Sequence, residues 1–337
     1  MIIGNRDLRK QRLLIAEIGN NHEGDARLAL EMVGAAAAAG ADAVKVQVIN
    51  PERLVNRSQK ERIAQLSRFR LPRSVFVEMA GLAKEKGILF IASAFDFESL
   101  DSVAELVDSV KIASGDLDFG PLLTRAAQIN KPIILSTGMA TLDEVGLALD
   151  LISASLPKRQ ALAESVALLH CVSLYPTPAR EANLRAIETL RSACGLTVGF
   201  SDHTIGIEVA LMALALGARI VEKHFTLDKS RTTFRDHALS ADPHDLRRLA
   251  TLLHDCDEIL GTGEKAPSVA EKEASTAARR SVVAARDLPA GTKLTLDDID
   301  YLRPRNGLSP LEASRMAGRI VATPLKAHEV LLEQHLV

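Results

Sequence analysis

Tryptophan is absent from the 337-residue chain, tyrosine occurs twice, and aromatic residues make up only 3%. Stacking of bases or sugars on aromatic platforms is therefore no general mode of recognition here. An excess of charge of either sign is also missing. The 41 Lys and Arg stand against 43 Asp and Glu, leaving a net charge of -2 and no basic field for nucleic acid. No apolar run reaches the roughly 18 residues of a membrane span. The N-terminal "MIIGNRDLRKQR" has no signal-peptide apolar region. Cys171, Cys194 and Cys256 cannot all pair within one chain and have no metal-ligand spacing, which suits a reducing cytoplasm. The expectation is a cytoplasmic protein that partners neither nucleic acid nor membrane.

What is present is a large apolar fraction, 47%, in a chain long enough for one large domain and a small one. Short apolar runs recur at 13–19 ("LLIAEIG"), 43–48 ("AVKVQV"), 88–93 ("ILFIAS") and 109–114 ("SVKIAS"). They continue at 132–138 ("PIILSTG"), 166–171 ("VALLHC"), 196–202 ("LTVGFSD") and 219–225 ("RIVEKHF"). Amphipathic segments lie between them, such as "DARLALEMVGAAAAAG", where Asp25 can cap a helix start and Gly40 can end it. Strand–helix alternation with near-continuously apolar strands predicts a parallel sheet covered on both faces. Eight such units predict an α/β fold, a (β/α)8 TIM barrel over residues 1–262. A doubly wound open sheet fits less well, because "EIGNNHEGD" after the first strand is not a GxGxxG turn.

The last of these strands carries Glu222, Lys223 and His224 in a row, although burying an unpaired charge costs several kcal/mol. An internal echo explains the pattern. "AAGADAVKVQ" (38–47) and "ALGARIVEKH" (215–224) align on Gly40 and Gly217, matching Lys45 with Glu222 and Gln47 with His224. Side chains alternate along a strand, so Glu222 and His224 share the inner face and Lys223 points outward, where it is expected to snorkel between helices. Other strands repeat the pattern at their C-terminal ends with Glu17, Ser93, Lys111, Ser114, Ser136, Thr137, Ser173, Ser201 and His203. That end of a barrel is where active sites of this fold lie.

His203 and His224 come from adjacent strands at similar height, near enough to share one divalent cation. Imidazoles suit Mn, Fe, Co or Zn better than Mg or Ca. Lys45 and Lys111, with Ser93, Ser114, Ser136 and Ser201, supply the cations and hydroxyls that hold a small phosphorylated anion. A barrel lysine could instead form a Schiff base with a keto substrate, and that alternative stays open. Glu17, between the two groups, is placed to act as a base. His22 either lines the mouth or caps the next helix, His170 reads as a core histidine, and Asp202 either orients His203 or caps a helix starting near Ile205.

Taken in order, "IAEIGNNHEGD", "AGADAVKVQ", "KIASGD", "KPIILSTGMA", "LLHCVSLYPTP", "VGFSDHTIG", "EKHFTLD" and "DHALSADP" resemble the sialic acid synthase family. The C-terminal "RRSVVAARDLPAGTKLTLDDIDYLRPRNGLSP" resembles that family's SAF, or antifreeze-like, domain. The resemblance implies condensation of phosphoenolpyruvate with an open-chain N-acyl amino sugar, giving a nine-carbon 2-keto-3-deoxy acid and phosphate. His203 and His224 would hold a divalent ion, usually Mn2+ with Mg2+ or Co2+ as alternatives, that polarises the sugar aldehyde. Lys45, Ser93, Lys111, Ser114, Ser136 and Ser201 would hold phosphoenolpyruvate, and Glu17 would help water attack its C2. Gln47, Asp116, Ser173, Tyr175, Glu222 and Asp236 would lie near the sugar.

Asp116 stands where several members have Glu, and Ser173 where some have Asn. The product is therefore open among N-acetylneuraminate and legionaminate-, pseudaminate- or spore-coat-type relatives. Residues 263–280 read as a charged connector and 281–337 as a small β-rich SAF domain whose core alone is marginal. The resemblance implies a homodimer in which that domain caps the partner's barrel and presents Arg303 to the sugar.

Overall fold

The computed structural model describes residues 1–157, 160–232 and 234–337, with Arg235 described in its backbone only. It divides into two compact units, Met1–Gly261 and Thr262–Val337.

Eight parallel strands close the barrel of the first unit: β1 (Leu13–Gly19), β2 (Ala43–Val48), β3 (Leu89–Ala94), β4 (Ser109–Ile112), β5 (Ile133–Ser136), β6 (Val166–Cys171), β7 (Thr197–Asp202) and β8 (Ile220–His224). β8 pairs with both β7 and β1, which closes the circle. The helices that cover the sheet include α1 (Ala26–Ala38), which Asp25 caps by accepting from the backbone of Arg27 and Leu28. Gly40 and Gly217, the aligned pair of the sequence echo, both adopt positive φ (+91° and +92°), which turns the chain from helix into strand.

Alternation along the strands builds the interior in layers. Leu13, Ile15, Leu89, Ile91, Ile134, Leu169 and Ile220 form one buried apolar cluster inside the barrel. Above it, every strand contributes an inward polar or sulfur-bearing residue: Glu17, Lys45, Ser93, Lys111, Ser136, Cys171, Ser201 and Glu222, all buried. Gly199 makes room in the apolar layer, since a Cβ there would lie 2.3 Å from the Ile220 carbonyl oxygen and 2.7 Å from Leu169 Cδ2. The opposite end is plugged by the N-terminal segment, which sequence patterning left without structure. Its two-residue strands Ile2–Ile3 and Arg6–Asp7 pair antiparallel, and Met1, Ile3 and Leu8 join the interior apolar cluster.

In the second unit the helix Val269–Ala278 occupies the segment read as a connector and buries no residue. β9 (Ser281–Ala284) pairs antiparallel with β10 (Ile299–Leu302). Val282, Leu294, Met316, Val321 and Leu331 are among the residues of its small core. Among the described residues, no helix is long and apolar enough to cross a membrane.

Candidate active site at the barrel mouth

A cavity of about 360 Å³ opens at the C-terminal ends of the strands, above the polar layer. Its floor is an ionic cluster. Glu17 Oε2 lies 2.8 Å from Lys45 Nζ, which lies 3.3 Å from Glu222 Oε1. Lys111 Nζ reaches the same Glu222 oxygen at 3.9 Å. Gln47 donates to Glu17 Oε1 at 3.0 Å, and Ser201 Oγ donates to Glu222 Oε1 at 3.1 Å.

The two carboxylates are driven apart. Burial, reinforced by Glu222, raises Glu17 to about 6 against the opposing pull of Lys45. Burial works the same way on Glu222, but Lys111 and Lys45 outweigh it and hold Glu222 below its ordinary value. Burial also works against the charge on Lys45, yet Glu17 and Glu222 keep it an ammonium with a raised pKa, whereas burial lowers Lys111. A carboxylate poised near neutrality beside one held ionised is the usual signature of divided acid–base roles.

Two hydroxyls in this cavity lack partners. Ser93 Oγ and Ser136 Oγ are buried with no hydrogen-bond partner among the described residues. Buried unsatisfied hydroxyls are uncommon and costly, and these two lie in one cavity with both lysines. Ser114 Oγ, also in the lining, accepts from the Gly138 amide at 3.0 Å.

The imidazoles of His203 and His224 line the same cavity, with ring centroids 5.4 Å apart and Tyr175 packed 4.1 Å from the His203 ring. His203 Nδ1 sits 2.9 Å from the Val172 carbonyl oxygen. A carbonyl can only accept, so Nδ1 carries the proton and Nε2 keeps its lone pair, the arrangement of a metal-ligating histidine. Burial lowers the His203 pKa and keeps the ring neutral. Two imidazoles lining one cavity are the residues that would hold a divalent ion of the transition series there.

The sequence reading thus converges on one cavity for Lys45, Gln47, Ser93, Lys111, Ser114, Ser136, Ser173, Tyr175, Ser201, His203, Glu222 and His224, with Glu17 at its floor. Glu222, assigned to the sugar by resemblance, sits deeper than that, between the lysines. Asp236 lines a second, wider chamber of about 910 Å³ that shares Gln47, Phe95, Tyr175 and His224 with the first. Asp116 ends the turn Ser114–Asp116 outside both linings, raised to about 6 by burial and by Asp118. Arg303 belongs to the second unit, where it is exposed just past β10.

Three expectations need correcting. Lys223 does point away from the cavity, but it does not snorkel: its side chain is fully buried and paired with Asp202. Asp202 makes no contact with the His203 ring and caps no helix: it accepts from Thr204 and Lys223, while α2 (Glu208–Ala215) starts later. His22 lines neither chamber; its Nδ1 accepts from Gly24 N, and Asp25 caps the helix. His170 is a core histidine as expected, with Nε2 2.8 Å from the Ala182 oxygen. The outer chamber also has walls that sequence reasoning missed: Arg62, Gln65, Arg68 and Phe69, from the segment between β2 and the next barrel helix. The only hint was length, since 39 residues separate the second and third apolar runs.

A closed (β/α)8 barrel with a polar, histidine- and lysine-bearing mouth, followed by a small β-rich unit, is the frame of a TIM-barrel enzyme. The chain belongs to the NeuB family, whose model matches residues 32–265, and the SAF domain matches residues 279–337. It is 38% identical to the N,N'-diacetyllegionaminic acid synthase of Legionella pneumophila, covering 96% of this chain and 94% of that protein. It is 30% identical to the N-acetylneuraminate-9-phosphate synthase of Mus musculus, covering 95% and 91%. A crystal structure of the sialic acid synthetase of Leptospira borgpetersenii, in complex with citrate, matches with a TM-score of 0.72 and 37% identity over 78% of this chain and 90% of that one.

Proposed function

We propose that this enzyme condenses phosphoenolpyruvate with the open-chain form of an N-acyl amino sugar, yielding a nonulosonic acid and phosphate. One observation carries the reading: two lysines, two unpartnered hydroxyls and two imidazoles share one cavity of about 360 Å³, beside a larger chamber that shares four of its lining residues. The inner cavity matches a small trianionic donor, and the outer chamber has room for a longer polar acceptor. Gln47, Tyr175 and His224 line both, so the reacting atoms meet there.

In this reading Lys45, Lys111 and the serines grip the phosphate and carboxylate of phosphoenolpyruvate. C3 of the donor bonds to the sugar aldehyde carbon as the C2–C3 double bond opens, leaving positive charge at C2, and the aldehyde oxygen takes up a proton to become a hydroxyl. Glu17 takes the proton of the water that adds to C2, and the tetrahedral adduct expels phosphate with its bridging oxygen. His203 and His224 would hold a divalent ion, Mn2+ in first place with Mg2+ or Co2+ as alternatives; when bound it supplies electrophilic polarisation of the aldehyde. A Schiff-base aldolase is disfavoured for Lys45, which two carboxylates keep as an ammonium.

The acceptor is N-acetylmannosamine or a relative. The higher identity to a legionaminic acid synthase than to a 9-phosphate synthase favours a non-phosphorylated diacetamido sugar. We read the assembly as a homodimer whose SAF domain caps the partner's barrel and delivers Arg303. In support, the barrel rim exposes Met139 (73%), Ile205 (68%) and Leu174 (45%), apolar surface that a partner would cover. Phosphate release tests the reaction: it should stop on chelation, return with Mn2+, and occur with one member of a panel of N-acyl hexosamines. Release that survives exhaustive chelation would remove the metal from the reading.

A further inference from the structure

Lys223 stands between Glu222 and His224 on β8 and has no exposed surface. Its ammonium donates to Asp202 Oδ2 at 2.9 Å and to the Thr204 carbonyl oxygen at 2.5 Å. The other Asp202 oxygen accepts from both the amide and the hydroxyl of Thr204, each at 2.8 Å. The residues on either side of His203 are thus tied to the residue next to His224. On its other side His203 is held by the β6 end: its carbonyl accepts from the Thr177 amide at 2.9 Å, and its ring meets the Val172 carbonyl.

We propose that the buried Lys223–Asp202 pair is a positioning device that sets His203 and His224 against one another for a shared divalent ion. The inference rests on the metal reading above. A buried ion pair is weak evidence for stability by itself, because an apolar pair of similar volume is often no less stable. What an apolar pair cannot do is grip the Thr204 carbonyl and so fix the backbone that carries His203. Neither residue lines the inner cavity, so neither is catalytic. Their influence runs through the histidines, as outer partners of metal ligands commonly act.

The test is the full-length double variant Asp202→Leu/Lys223→Met, which removes both charges and keeps the volume. Mn2+ is titrated calorimetrically without substrates, and the slowly exchanging ring Nδ1–H of His203 is followed by NMR. The expected result is a folded protein with a melting temperature lowered by the orphaned Thr204 groups, Mn2+ affinity weakened roughly 10- to 100-fold, and loss of the ring-proton signal. Should that variant not fold, Asp202→Asn, which keeps the Thr204 contacts, carries the same test with an expected loss of several-fold. Parent-like Mn2+ affinity with an intact His203 ring proton in the folded variant would overturn the proposal. A parent protein that takes up no Mn2+ would instead sink the metal reading, while the ring-proton signal still judges the positioning.

Discussion

At the scale of single residues, the proposed chemistry rests on two carboxylates that share Lys45 yet differ in ionisation. As the proposed base, Glu17, raised to about 6, would have to be ionised to accept a proton from water. Activity should therefore fall as pH drops through about 6, and kcat/KM should show an acid limb there. Glu17→Gln should lower kcat by roughly 10²- to 10⁴-fold, the ordinary contribution of a general base, and should abolish that limb. A limb that persists in Glu17→Gln belongs to another group. The identities of Glu17, Lys45 and Glu222 were legible from alternation alone, because inward position follows from strand period. The ion pairs among them were not, since sequence does not say which opposite charges meet across a barrel. Lys223 shows the same limit: its outward direction was readable, its buried partner was not.

At the scale of elements, the eight strands were legible because each is a short apolar run ending in polar residues. Their observed bounds lie within a few residues of the runs. The N-terminal hairpin was not legible, since two-residue strands leave no periodicity. The segment carrying Arg62 and Arg68 escaped for a different reason: its helix Lys60–Ser67 buries only Leu66, so nothing in its pattern points inward. If the outer chamber receives the sugar, Arg62→Ala and Arg68→Ala should each raise the acceptor KM about 2- to 10-fold, the worth of one hydrogen bond. The KM for phosphoenolpyruvate should not move, and an equal rise in both would place these residues elsewhere in the cycle. Packing within the barrel gives a separate test. Gly199→Val pushes a side chain into the Ile220 backbone and should cost about 1–3 kcal/mol of stability, read as a lowered melting temperature.

At the scale of the whole molecule, the proposed dimer builds each site from two chains. Arg303 is exposed in its own unit, and the mouth of the barrel unit exposes an apolar rim. Mixing His203→Ala protein with Arg303→Ala protein, after dissociation and reassociation, tests the shared site. If Arg303 serves the partner's barrel, random pairing in a two-fold dimer should restore about a quarter of parent activity. Activity no greater than that of the two variants measured apart would confine each site to one chain.

The most direct measurement uses phosphoenolpyruvate labelled with ¹⁸O in the oxygen that bridges C2 and phosphorus. The purified enzyme is incubated with it, Mn2+ and the accepted amino sugar. All of the label should leave with inorganic phosphate, and the new keto oxygen should come from water. Label retained at C2 of the product would mean that phosphorus, not carbon, loses the bond, and would contradict the roles assigned to Glu17 and the lysines.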